Sequence, residues 1–159
     1  MPHPKEEKSL IIIKPDAMQR SLLGEIIHRF ERKGLRIAGM KMVALEDVML
    51  EEHYSHLKDK PFFKDIKKFM KASPVVVMVI AGINAISAIR LIAGPTKSYE
   101  APAGTIRGDF SMSGSSNIIH ASDSPESAEQ EVKRFFTQEE IFDYEKTSEY
   151  FLYSEHYPA

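Results

Sequence analysis

Leu10 to Ile13 is an apolar, β-branched run that stops at Lys14-Pro15, the pattern of a buried strand with a lysine at its mouth. Asp16 is placed to cap a short turn behind it. Leu23, Ile26, Ile27 and Phe30 recur at helical spacing and Gly34 supplies a stop, which predicts an amphipathic helix over about residues 21 to 33. From Leu35 the apolar alternation runs 35, 37, then 40, 42, 44, and the slip of phase beside Gly39 predicts a bulged strand. Residues 46 to 72 read as two helices broken at Lys60-Pro61, the first with His53, Tyr54 and Leu57, the second with Ile66, Phe69 and Met70. The unbroken apolar run from Val75 to Ala81 predicts a central strand covered on both faces. Asn84 stands as the cap of a helix with a buried stripe of Ala85, Ile86, Ile89 and Ile92, ended by Gly94-Pro95. Residues 95 to 117 carry little apolar periodicity and predict a long loop, either functional or an oligomer contact. Asn117 to His120 is a last strand, and Ser122 to Pro125 open a helix with the stripe Ala128, Val132, Phe135 and Phe136.

Strand, helix, strand is thus followed by strand, helix, strand. This order predicts an α+β fold of the ferredoxin-like, split βαβ kind: a four-stranded antiparallel sheet with helices packed on it, an inserted helix pair and a long loop. A chain of 159 residues is expected to form one domain over 1–159, with 1–7 and 154–159 as tails. Lys plus Arg number 21 against 23 Asp plus Glu, a net charge of −2, so no specific nucleic-acid binding is expected and any phosphate must meet a few placed cations. The absence of cysteine excludes disulfide and thiol chemistry. No leader pattern opens the chain and no apolar run could span a bilayer, which leads to the expectation of a cytoplasmic protein without membrane partners.

Candidate chemistry centres on His120, at a strand-to-helix junction where an imidazole is held rigidly yet open to solvent. A half-buried histidine satisfied by a carbonyl is the plain alternative, and Arg107, Asn117, Ser122 and Asp123 in the same short segment argue against it. Lys14, Arg90 and Arg107 sit at element ends or beside the long loop. As a group with a histidine they suit the charge-rich transition state of phosphoryl transfer; singly they read as surface charges. Gly94-Pro-Thr-Lys-Ser98 lacks the glycine before the lysine of a P-loop, so the phosphates must be gripped by side chains. Neutral imidazole is a good nucleophile near pH 7 and its N–P bond is labile, which splits one hard transfer into two easier ones. His53 and His56, beside Glu51 and Glu52, could be drawn as a metal site but read as a solvated helix face.

Gly104-Thr-Ile-Arg-Gly-Asp109 with Asn117-Ile-Ile-His-Ala-Ser-Asp-Ser124 closely resembles the signature of the nucleoside diphosphate kinases. Ile12-Ile-Lys-Pro-Asp16, His53-Tyr54, Lys58-Asp-Lys-Pro-Phe-Phe63, Gly94-Pro-Thr96 and Glu126 to Glu131 match the same family in its order and spacing, so the resemblance covers roughly residues 8 to 153. It implies a ping-pong transfer of the γ-phosphate from a nucleoside triphosphate to a diphosphate through a phosphohistidine at His120. By the same resemblance Glu131 and Ser122 orient the ring or support the transferring group, and Tyr54 lies beside the phosphates. Lys14, Asn117, Arg90, Arg107 and Thr96 hold ribose and phosphates, and Phe62 stacks on the base, where its plain alternative is a core or helix-junction aromatic. Asp123 lies near a Mg²⁺ that arrives with the nucleotide, and the partners are nucleoside di- and triphosphates and further copies of the chain, in a hexamer first, with a tetramer as the alternative.

Departures from the family pattern are local. Ala121 replaces the usual glycine after the histidine, where a positive φ would become costly, and Pro102 stands one place early in the long loop. Gly114-Ser-Ser116 lacks the usual basic residue. Two rivals remain at the level of sequence: a nucleotide-sensing module without turnover, which has no use for a histidine backed by Glu131, and a nucleic-acid binder, which the acidic balance disfavours.

Overall fold

The computed structural model describes residues 3–153. Residues 1 and 2 and the expected tail at 154–159, with His156, lie outside the described residues. The chain runs β1 (Glu6–Ile13), α1 (Pro15–Gln19), α2 (Leu23–Arg32), β2 (Arg36–Val43), α3 (Asp47–His53), α4 (Phe63–Met70), β3 (Val75–Ile83), α5 (Ala85–Ala93), α6 (Ile106–Phe110), β4 (Ile119–Ala121), α7 (Pro125–Phe135) and α8 (Glu149–Leu152). The sheet order is β2-β3-β1-β4, with every neighbouring pair antiparallel. β1 and β2 are therefore parallel with β3 between them, the split βαβ arrangement that the order of elements implied.

The pleat of the two central strands divides the core. Leu10 and Ile12 of β1 pack with Val75, Val77 and Val79 of β3 beneath Leu50 of α3, Met70 of α4 and Val132 and Phe135 of α7. Ile11 and Ile13 pack with Val76, Met78 and Ile80 beneath Ile26 and Phe30 of α2 and Ala85, Ile89 and Ala93 of α5. All of β3 is buried because both faces are covered. Each fully buried side chain of this size contributes about 1.5–3 kcal/mol, so the central strands are the rigid reference on which the rest is mounted.

Several expectations are corrected. β1 begins at Glu6, inside the expected tail: Glu6 pairs with Ile83 in the ladder, and its carboxylate holds the Arg36 guanidinium at 2.8 Å. The α2 stop is as expected, with Gly34 at φ 98°. The bulge also occurs, as a register shift between Ile37 and Gly39. A Cβ at Gly39 would lie 2.9 Å from the Glu140 carbonyl oxygen, so the bulge makes room for the C-terminal segment, whose Phe142 N–H donates to Ala38 O at 2.7 Å. Asn84 does not cap α5 through its side chain. It adopts φ 54°, and Glu7 of β1 accepts instead from the Ile86 N–H at 3.0 Å. Asp16 does not cap α1 either; its Oδ2 accepts from the Ile118 N–H at 3.0 Å.

The segment expected to be a long irregular loop carries a 3₁₀ turn at Ser98–Glu100 and the helix α6, capped by Thr105 through Gly108 N. Arg29 of α2 holds it, donating to Gly104 O at 3.1 Å and Asp109 Oδ2 at 2.7 Å and lying over the Phe110 ring. The chain's own helix thus orders the loop.

Candidate active site

β4 pairs His120 with Ile12 and Ala121 with Ile11. Alternation then sends Ile119 and Ala121 into the α2/α5 layer and turns His120 toward α3 and α7. Because β4 is an edge strand, His120 has packed sheet on one side and a cleft of about 560 Å³ on the other. α7 is started by Ser124, which accepts from Ser127 N, with Pro125 in the first turn. Its inward stripe is Ala128, Glu131, Val132 and Phe135, so a carboxylate occupies a core-facing place. That carboxylate contacts His120 Nε2.

The approach to His120 is strained. Ile118 has φ 76°, and its turn is closed by the Ile119 N–H on Asn117 O at 2.9 Å, a γ-turn. A β-branched residue at positive φ persists only where its surroundings impose it. Here Asp16 holds the Ile118 N–H, Lys14 N donates to the Ile118 carbonyl, and the side chain is fully buried. Ala121, by contrast, has ordinary extended backbone in β4, so its Cβ carries no conformational cost.

The cations are built in with unequal freedom. Arg107 is 3% exposed and donates to three carbonyls: Asn117 O at 3.1 Å, Gly94 O at 2.8 Å and Ile119 O at 2.7 Å. Two of the five guanidinium N–H bonds remain for an anion in the cleft. Burial, then Arg90, pushes its pKa down to about 10. Lys14 Nζ donates to Asn117 Oδ1 at 2.7 Å, and burial, then Arg107, lowers it to about 8. Asn117 gives both amide hydrogens to Thr96 O and Gly114 O. What it offers a ligand is the second lone pair of Oδ1 and the placement of Lys14. Arg90 reaches the Ala121 carbonyl at 3.5 Å, and Thr96 and Asp123 are exposed on the cleft wall.

Burial, then Lys14, Arg107 and Arg90, pushes His120 down to about 3, so the ring is neutral at pH 7. Burial raises Glu131, while His53, Arg134 and a hydrogen bond with Ser122 pull it back. Ser122 is fully buried; its hydroxyl accepts from the Leu10 N–H at 3.0 Å and is not on the cleft wall, and its reach toward the site is a hydrogen bond with Glu131. Tyr54 lines the cleft with its phenol pushed above the ordinary range by burial. Phe62 stands just before α4, nearly half exposed, a few residues along from the wall residues Tyr54, Ser55 and His56 but not itself in the wall. It is a helix-junction residue without being a core one.

His53 corrects the expectation of a solvated face. It is buried on the α3 stripe with Leu50, its ring meeting that of His120 edge-on at 4.6 Å and its Nδ1 3.9 Å from Glu131 Oε2. His56 is exposed, so the two do not form a pair. Burial, then His120, lowers His53 to about 3. Arg134, one turn beyond Glu131, donates to His53 Nδ1 at 3.1 Å and was not singled out from sequence. The signals were available: His53 lies three residues after Leu50, and Arg134 three after Glu131.

The family model described as nucleoside diphosphate kinase matches residues 7–141. The chain is 57% identical over 148 residues to a nucleoside diphosphate kinase of Parabacteroides distasonis, covering 93% of this chain and 97% of that one. It is 49% identical over 150 residues to one of Pyrococcus abyssi, covering 92% and 94%. Among solved structures it is similar to the Halobacterium salinarum enzyme in complex with CDP, at TM-score 0.90 and 35% identity over 93% of this chain and 99% of that one. It is also similar to the Borrelia burgdorferi enzyme in a transition-state mimic with vanadate and ADP, at TM-score 0.86 and 32% identity over 92% and 96%. Fold, site and relatives agree, and the chain belongs to the nucleoside diphosphate kinase family.

Proposed function

We propose that the chain transfers the γ-phosphate of a nucleoside triphosphate, ATP among them, to a nucleoside diphosphate in two steps through His120. The observation that carries this is the neutral imidazole whose Nε2 is held by Glu131 while its edge faces the cleft of Lys14, Arg90 and Arg107. With the proton on Nε2, the lone pair lies on Nδ1. Nδ1 attacks the γ-phosphorus, the Nδ1–P bond forms, and the bond to the bridging oxygen breaks with its electron pair leaving on the diphosphate. Glu131 balances the positive charge that the ring then carries. In the second step a terminal oxygen of another diphosphate attacks phosphorus, and the N–P electron pair returns to the ring.

Arg90, Arg107 and Lys14 would share the equatorial phosphoryl oxygens, with Tyr54 beside them. Thr96 and Asn117 line the same wall and suit the sugar-phosphate side. Phe62 offers an exposed π-face, which accepts any base and supports broad base tolerance. Of the cleft carboxylates Glu131 serves His120 and Glu52 faces Arg134, which leaves Asp123 at the wall. A single carboxylate fits Mg²⁺ bound chiefly by substrate phosphates, and the ion when bound would neutralise their charge. A cytoplasmic setting suits these substrates; no helix among the described residues is long and apolar enough to cross a membrane. A homohexamer is the assembly the family resemblance supports.

Incubation with γ-labelled ATP and Mg²⁺ tests this reading. The expected product is a phosphoenzyme destroyed by acid and spared by alkali, which passes its label to a diphosphate and is absent from His120→Ala. An acid-stable phosphate, or full turnover in that variant, sinks it.

A further inference from the structure

His53 Nδ1 lies near the same Glu131 oxygen that His120 Nε2 contacts, so two imidazoles face one buried acceptor. A proton on His53 Nδ1 would compete with His120 for that oxygen. Arg134 decides the matter. An arginine at neutral pH only donates, so the nitrogen that accepts from its Nη1 at 3.1 Å must carry a lone pair. His53 is then the neutral tautomer with hydrogen on Nε2, an atom that is buried and has no hydrogen-bond partner among the described residues.

We propose that Arg134 is a positioning residue: by donating to His53 Nδ1 it denies Glu131 a second proton donor, so the carboxylate serves the nucleophilic His120 alone. This rests on the transfer reading above for its consequence in activity, but not for its structural content. Its Nε also lies 3.1 Å from Oε1 of the exposed Glu52, an ion pair between α7 and α3 in which Nε makes no hydrogen bond. The charge does a second thing. Arg134 sits one helical turn from Glu131 and favours the carboxylate, opposing the burial that favours the acid.

The groups around this centre are few. Glu131 is faced by His120, Ser122 and Asp123 from the β4 side, by His53 from α3 and by Arg134 on its own helix. His53 is faced by His120, Glu131, Arg134 and His56, with the neutral rings of Tyr54 and Phe135 against it. Without Arg134, a second proton can be shared between His53 and Glu131 as the pH falls. His120 then loses the acceptor that keeps its hydrogen on Nε2.

The test is the pH profile of kcat together with the ring ¹⁵N spectrum of histidine-labelled protein. Arg134→Met keeps the stem and is expected to move the acid limb of kcat upward by about one pH unit, the size of losing a nearby opposite charge, with KM held. Arg134→Lys, which restores a donor to Nδ1, should bring the limb back toward the native position. In the native protein the spectrum should show His53 protonated on Nε2, and Arg134→Met should add the Nδ1–H form. A mere clasp between α3 and α7 predicts a loss of activity equal at every pH, and that result would overturn the proposal. A native His53 protonated on Nδ1 would overturn it too, even if Arg134→Met did not fold. A native tautomer as expected in a protein that fails to transfer phosphate would instead count against the transfer reading alone.

Discussion

Ile118 offers a direct measure of what the placement of His120 costs. At most positions alanine is the better residue and glycine loses about 0.5–1 kcal/mol to unfolded-chain entropy. At φ 76° the order should invert. Ile118→Ala and Ile118→Gly both delete a fully buried side chain from the α2/α5 core, at about 2–5 kcal/mol. Alanine keeps the Cβ and with it about 1–3 kcal/mol of backbone strain, whereas glycine has none. The difference leaves glycine ahead by about 1 kcal/mol. Urea titrations of the two variants at equal protein concentration measure it, because the large loss is common to both. If Ile118→Ala is the more stable, the γ-turn carries no strain and the tension assigned to this junction is not there.

Two further expectations concern pH and assembly. His53 and His120 are both lowered to about 3, so the folded state resists protons that the unfolded chain takes up below its ordinary value near 6.5; this stability is full above that pH and is lost as pH falls toward 3. At pH 5.5 the loss is about 1.4 kcal/mol per histidine, offset in part by the raised Glu131, and urea midpoints at pH 7.5 and 5.5 that coincide would contradict it. For assembly, Pro102→Ser should lower thermal stability in a concentration-dependent way, since Pro102 and the 77% exposed Leu91 border one apolar hollow beside the loop. A native protein that light scattering shows to be a fully active monomer refutes the hexamer.

The elements legible in the sequence are those whose burial writes a period into the chain. β3 and the apolar end of β1 are continuous because both faces are covered, α2 repeats at helical spacing, and the Gly39 slip is a real bulge. The first half of β1 was not legible, because Glu6 and Glu7 are held there by Arg36 and the start of α5, partners distant in sequence. The order in the 95–116 segment was hidden for the same reason: Arg29 and Arg107 impose it through carbonyls that no side-chain pattern marks. In the site, the motif residues were legible through resemblance and the geometry around them was not. The missing glycine marks Ala121 as the costly position, but the strain lies at Ile118, where propensity argues against the conformation adopted. His53 looked like surface because α3 is short, with too few turns to show which side is buried.

The site is assembled against several local preferences, and the reason lies in what the cleft must hold. Lys14 and Arg107 are lowered to about 8 and about 10 partly by other cations, so charges of one sign are crowded here before any ligand arrives. Carbonyl oxygens of Gly94, Asn117 and Ile119 keep Arg107 in place against that repulsion, and Asn117 does the same for Lys14. An anion entering the cleft would offset that repulsion, and Lys14 and Arg107, which it would meet, are already tied to the sheet edge and the loop. Repulsion stored in a fixed frame is therefore returned when charge appears between the cations. On the two-step transfer proposed above, it is returned most strongly where that charge is greatest, at the phosphoryl group between a phosphate oxygen and Nδ1. Burial first, and then the same cations, keep His120 unprotonated. On the proposed transfer, one arrangement of cations thus helps to keep the lone pair of His120 available and draws in the group that it would attack, and the carboxylate stands behind the ring, on Nε2, rather than in front.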